Sequence, residues 1–337
     1  MADAAWSSLA AEAQHSKQGD LVVRRAQTQP SVYAFRSVVG ASLRRQLMVE
    51  VSGPNSVDVD ELPRWRGVAV GISQLAPLGE RGWYVVLSQQ LGGTEDVFEF
   101  VADDICARIA DAAGPNDVVV ELQHALKRWS GFFSQHGFEG LGPARIRGLY
   151  GELLFLRDHV IPRFGQVLAM NAWHGQSRAN HDFQVGPHAF EVKTTTARGP
   201  FEVRVSSERQ LDDVGLDSLH LVVVVVAELP DGPHTLPALV NDLREKLSSD
   251  VEALDGFNGK LIEGGYLDAH APRYSSAYEQ RSLRWFRVRE GFPRITESML
   301  PDGIGDATYT LSLAACKDFA VDEGKAFAPF PEASDDA

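Results

Sequence analysis

His181-Asp182-Phe183-Gln184-Val185-Gly186-Pro187-His188-Ala189-Phe190-Glu191-Val192-Lys193 is the stretch whose reading decides this fold. Gly186-Pro187 is a turn signal between two short β-prone runs. With those two residues as the loop, Val185 faces His188, Gln184 faces Ala189, Phe183 faces Phe190 and Asp182 faces Glu191. Side chains alternate along a strand, so Lys193 projects on the side of Glu191. Phe183, Val185, Phe190 and Val192 then make an apolar face suited to a core. The other face gathers two carboxylates and one ammonium. Like charges directly across a ladder repel, so Asp182 opposite Glu191 needs a neutralising partner, either Lys193 or a cation. On the residues alone, the same spacing also fits an ordinary solvated hairpin with a surface ion pair.

Thirty residues upstream, Ile146, Leu149, Leu153, Leu156 and Val160 recur at three- and four-residue steps and predict a helix with one apolar face. Glu152 falls at the edge of that face, where a carboxylate can lean toward a neighbouring sheet. Taken singly it also reads as a helix-surface Glu.

A helical Glu152, then Asp182, then Glu191-Val192-Lys193 resembles the PD-(D/E)XK nuclease superfamily, with its restriction-endonuclease-like fold. Gly151-Glu152-Leu153-Leu154-Phe155-Leu156, followed by His181-Asp182-Phe183 and by Phe190-Glu191-Val192-Lys193-Thr194-Thr195, is similar in wording to the bacterial family DUF4420. His181 stands where the superfamily name has proline, a position that is not a ligand. The motif itself is short and degenerate. The resemblance implies an α/β (α+β) fold, a central mixed sheet flanked by helices. It implies Mg²⁺-dependent hydrolysis of DNA phosphodiesters by an endonuclease of a bacterial restriction or defence system, with Mn²⁺ able to substitute. In that family Asp182 and Glu191 would ligate the metal, with the Val192 carbonyl as a further oxygen ligand. Lys193 would hold or help deprotonate the attacking water, and Glu152 would bind a second metal or orient a water. Hard oxygen donors of this kind suit Mg²⁺. The alternative is an inactive subunit that keeps the fold for DNA binding or for assembly of a defence complex.

The flanking sequence fits the same core. Thr194–Thr196 continue the strand, Phe201–Val205 alternates as another, and Ser206-Ser207-Glu208 opens a helical turn. Leu219–Ala227 is a β-branched apolar run, expected to be covered on both faces and too short to span a membrane.

A chain of 337 residues, 44% apolar and 23% charged, is ordinary for a globular protein. Neither a long apolar segment nor an N-terminal secretory pattern is legible, so a cytoplasmic location is expected. Cys106 and Cys316 lie far apart and fit reduced core thiols there. The net charge of −14 argues against general nucleic-acid affinity, since phosphate contacts need Lys and Arg. Locally the balance reverses. Residues 141–210 hold nine Lys or Arg against six Asp or Glu, and residues 273–294 hold six Arg against two Glu. Tyr274, Tyr278, Trp285 and Phe286 lie among those arginines. Arg beside aromatics can grip phosphates and stack on bases. The pattern fits equally an amphipathic strand with Trp285 and Phe286 in the core. DNA is the expected partner, with a homodimer or a separate ATPase/helicase or methyltransferase subunit as further possibilities.

The N-terminal third reads as a β-rich domain without a catalytic motif (residues 1–113). Strands are expected at Leu47–Val51, Val68–Ile72, Trp83–Leu87 and Val97–Val101. Helices are expected at Asp103–Ala113 and Val118–Phe133, with a boundary near Gly114. The nuclease-like domain would run over 114–330, and an acidic, disordered tail over 331–337. His174, His181 and His188 recur every seven residues but have no Cys cluster beside them, and they do not read as a zinc site.

Overall fold

The computed structural model describes the chain apart from residues 1, 18–19, 27–33, 40–41, 59–61, 63–64, 66, 78, 80, 91–92, 111, 176–178, 197–198 and 331–337. The expected acidic tail lies outside the described residues. The chain forms two compact units, Met1–Gly140 and Leu141–Ala337.

The first unit holds α1 (Ala2–Gln14), β1 (Leu21–Arg25), β2 (Ala34–Val39), β3 (Arg44–Val51), β4 (Val68–Leu75), β5 (Gly82–Gln89), α2 (Glu95–Ala110) and α3 (Pro115–His136). Its five strands make one antiparallel sheet in the order β1-β2-β3-β5-β4. Residues 97–101, read from the sequence as a strand, are helical instead. Val97, Phe98, Val101, Ala102, Ile105, Cys106 and Ile109 recur at helical steps and are all buried, so the period outweighs the β propensity of the valines. The division of the chain falls after Gly140, not near Gly114. The reason is that α3 packs on α2 and stays within the first unit. There Trp129 stacks on Phe133, which stacks on Phe138, and the Trp129 indole N–H donates to Asp104.

The second unit opens with α4 (Pro143–Phe155). A single π-helical stretch, Leu156–Val160, leads into α5 (Ile161–Ala172). Then follow β6 (Phe183–Val185), β7 (His188–Thr196), β8 (Glu202–Val205), β9 (Ser218–Leu229), α6 (Leu236–Leu247), α7 (Val251–Glu263), β10 (Ala277–Val288), β11 (Tyr309–Ser312), β12 (Ala320–Val321) and α8 (Glu323–Phe327). The central sheet has the order β12-β10-β9-β7-β6. It is mixed: β7 runs parallel to β9, and the other pairs are antiparallel.

The hairpin forms in the register that the sequence predicts: Phe183 pairs with Phe190, Gln184 with Ala189 and Val185 with His188. Gly186 takes a φ of 57°, the positive value that a tight hairpin asks of its first turn residue and that glycine adopts without strain. The Pro187 carbonyl accepts from the Asp217 amide and so ties the turn to the start of β9.

β9 is buried from Ser218 through Val226. Val222, Val224 and Val226 face an apolar cluster with Phe183, Phe190 and Val192 and with α4, α6 and α7. Leu219, Leu221, Val223 and Val225 face a second cluster, built with Val203, Val205, Leu311 and Cys316. Helices therefore cover one face. The other is covered by the two-stranded β8–β11 sheet and the 3₁₀ helices Glu208–Leu211 and Leu313–Phe319. Both cysteines are buried free thiols.

Candidate active site

Four side chains that the sequence singles out meet at the β6 edge of β7. Their convergence follows from where β6 begins. Its ladder with β7 starts at Phe183, so the edge of β7 beyond Phe190 has no strand beside it. Asp182, one residue earlier, turns its carboxylate onto that edge and accepts a 2.8 Å hydrogen bond from the Val192 amide. A strand residue presents its N–H and C=O to the same side, so the Val192 carbonyl faces this gap as well. Glu191 and Lys193 share one sheet face with Ala189, and Lys193 Nζ meets Glu191 Oε1 at 2.5 Å.

Glu152 arrives from α4. That helix lies on β7 at Gly151, where a side chain would collide with Thr194. The close seat carries the next residue, Glu152, to the β7 edge. Its carboxylate Oε2 accepts from the Trp173 indole at 3.3 Å. Trp173 follows α5, and its own carbonyl, with that of Met170, accepts from the Lys260 ammonium. Trp173 also bridges to Phe183, so the indole is fixed by the same hairpin that carries Asp182.

The site is dry, and its charges respond to that. Burial pushes the Glu191 carboxyl up to about 8. Asp182 contributes to that rise, and Lys193 opposes it. Burial, reinforced by Asp182, holds Glu152 well above the usual carboxylate range, while the Trp173 indole pulls it back. Asp182 is also raised by burial, against the pull of Lys193 and the Val192 amide. Burial alone would lower Lys193, but Glu191, Asp182 and Glu152 outweigh it and raise the ammonium above its ordinary value. Lys193 is thus the fixed cation of the group, and the three carboxylates compete for protons. Charge on Glu191 is met on one side only: Oε2 makes no regular hydrogen bond among the described residues, although the Asp182 amide helps to stabilise the ionised form.

Ionising all three carboxylates around one ammonium would leave an excess of negative charge in this buried place, where desolvation raises their pKa values. A divalent cation would neutralise it. Among the described residues, no three His, Cys, Asp or Glu side chains are disposed as a ready-made ligand set. What the site offers is Asp182, Glu191 with its orphaned oxygen, and the Val192 carbonyl. Those hard donors, with water completing the shell, match the way Mg²⁺ is usually held.

The family model described as "Putative PD-(D/E)XK family member, (DUF4420)" matches residues 2–314. The chain belongs to the DUF4420 family. No curated protein and no solved structure matches it.

This DUF4420 protein brings in residues that the sequence does not announce. Gln210, in the 3₁₀ turn Glu208–Leu211, accepts from Lys193 Nζ at 3.0 Å and from the Ser206 amide at 2.8 Å. Trp173 is the other. A buried indole N–H requires an acceptor, which is the only hint the sequence holds. His181 is buried, its pKa lowered by that burial, and its Nε2 has no partner among the described residues. The Arg-aromatic stretch resolves toward the core: Tyr274, Tyr278, Trp285 and Phe286 are all buried and offer no ring for a base to stack on. No helix among the described residues is long and apolar enough to cross a membrane.

Proposed function

We propose that this chain is a Mg²⁺-dependent endonuclease that hydrolyses DNA phosphodiesters in a bacterial restriction or defence system. The observation that carries the proposal is the convergence of the buried Glu152 and Glu191 and the half-buried Asp182 around the charged Lys193 at one open sheet edge. Family membership supports the same reading.

Asp182, Glu191 and the Val192 carbonyl would hold the metal, which supplies Lewis-acid stabilisation of phosphoryl charge and acidifies water. Lys193, paired with Glu191, would hold the attacking water or donate to the developing anion. Gln210 fixes the ammonium from the far side. Glu152, tethered by Trp173, orients water beside the two ligands.

The test is incubation of the purified chain with supercoiled plasmid, modified and unmodified, in Mg²⁺, Mn²⁺ or EDTA. Nicking or linearisation in metal, abolished in EDTA and in Asp182→Ala and Lys193→Ala, is expected. Unchanged cleavage by folded Asp182→Ala rejects the assignment.

One observation favours a second reading. The absence of a three-residue ligand set among the described residues suits a subunit that keeps the fold for DNA binding or assembly. Titration calorimetry with Mn²⁺ separates the two readings: binding lost in Glu191→Ala supports the enzyme, and no binding by the wild type supports the inactive subunit.

A further inference from the structure

We infer that Arg284, held over the Phe201 ring, grips a backbone phosphate of the DNA strand beside Lys193; the inference rests on the reading that DNA is the substrate. Sheet register places the two cations in one row. Lys193 of β7 pairs with Val223 of β9, and Val223 pairs with Arg284 of β10. All three lie on the same face. Ala189 and Phe286, an even number of residues from Lys193 and Arg284, join Val223 in the apolar cluster there. With strands about 4.8 Å apart, the two backbones stand about 10 Å from each other. The two side chains can therefore engage nearby phosphates of one DNA strand.

The guanidinium is prepared for an anion. Its central carbon stands 4.1 Å from the centroid of the Phe201 ring. A guanidinium held over a ring keeps N–H donors available for contact with a phosphate. Arg284 differs here from Arg281, Arg287 and Arg294, while Arg289 likewise lies over a ring, that of Phe319. Arg281 pairs with Glu279, Arg287 donates to the Asp217 carbonyl and Arg294 pairs with Asp213. Arg284 has no carboxylate or carbonyl partner among the described residues. In a chain of net charge −14, carboxylates outnumber cations, yet none neutralises this one. It is only partly buried, so a ligand can reach it.

The experiment measures fluorescence anisotropy of a short labelled DNA duplex with the full chain in EDTA, across a salt series, beside plasmid cleavage in Mg²⁺. Arg284→Gln should raise Kd about tenfold and reduce the slope of log affinity against log salt by about one. Phe201→Leu keeps the charge and should weaken binding with the slope unchanged. Arg284→Lys, which also guards against misfolding of the glutamine variant, should fall between wild type and Arg284→Gln. Wild-type Kd and salt slope in folded Arg284→Gln, or no binding by the wild type, would overturn the inference. A wild type that binds through Arg284 but never cleaves would sink the nuclease reading alone.

Discussion

Gly151 of α4 faces Thr194 of β7 so closely that a β-carbon on the glycine would stand 1.9 Å from Thr194 Oγ1. No rotation of a helix can relieve that without moving Glu152, the next residue. The contact therefore sets the distance between the helix that supplies one carboxylate and the strand that supplies the other carboxylate and the lysine.

Gly151→Ala should destabilise the second unit by about 1–3 kcal/mol, as overpacking of a close-fitting interior does. It should also depress cleavage beyond what the stability loss explains, because Glu152 is pushed off the β7 edge. Thr194→Ala alone should cost little, and the double variant should regain much of both losses. Equal Tm values for Gly151→Ala and wild type would show that the seat is looser than this geometry.

The hairpin was legible because its signals are local. Gly186-Pro187 fixes the loop, and alternation then fixes every facing pair from Val185–His188 outward. Its chemical consequence was only half legible. A facing Asp182 and Glu191 suggests two carboxylates side by side over a solvated face. In the structure Asp182 caps the Val192 amide at the strand edge, and Glu191 is fully buried. Burial depends on what covers a face, here Val203, Val205 and Leu311 from segments with no local link to the hairpin. Gln210 and Trp173 were illegible for the same reason. Each reaches the site through tertiary packing, not spacing. The misread strand at 97–101 shows the reverse: a helical period was present, and β-branched composition masked it.

Trp173→Phe keeps an aromatic ring but removes the N–H that Glu152 accepts. Because that hydrogen bond lowers the Glu152 pKa, its loss should move the carboxyl further up. If Glu152 must be ionised for catalysis, the acidic limb of the kcat/KM profile should shift to higher pH, with wild-type-like rates recovered at alkaline pH. An unshifted limb with a uniformly lower rate would assign Trp173 a packing role only.

Glu191 gives the metal-free protein a stability that falls as pH rises. Its folded pKa of about 8 lies above the ordinary carboxylate value of 4.5, so between those limits the folded state binds more protons than the unfolded one. The favourable contribution is complete below pH 4.5 and is lost as pH climbs through 8. Relative to wild type, Glu191→Gln should therefore gain in Tm steadily from pH 5 to pH 8.5 in EDTA. Added Mg²⁺ should narrow the gap by stabilising only the wild type, since a cation favours the ionised carboxylate. A Tm difference that stays flat with pH would mean that Glu191 titrates normally.

His220 imposes the opposite slope. The imidazole lies on β9 beneath Phe190, with ring centroids 5.6 Å apart, and its Nδ1 has no partner among the described residues. Burial lowers its pKa from 6.5 to about 4, helped by Arg287 and His188. Between those values the unfolded chain binds the extra proton, so stability is full above pH 6.5 and drains away as pH falls through 4. By linkage the loss between pH 7 and pH 5 is on the order of 2 kcal/mol. His220→Phe places an apolar ring in the same cluster and removes the titrating group. It should leave the protein at least as stable as wild type at pH 7 and clearly more stable at pH 5. Chemical denaturation at the two pH values measures both numbers. If wild type and variant lose equal stability on acidification, protonation of His220 is tolerated in the folded state and the acid sensitivity lies elsewhere.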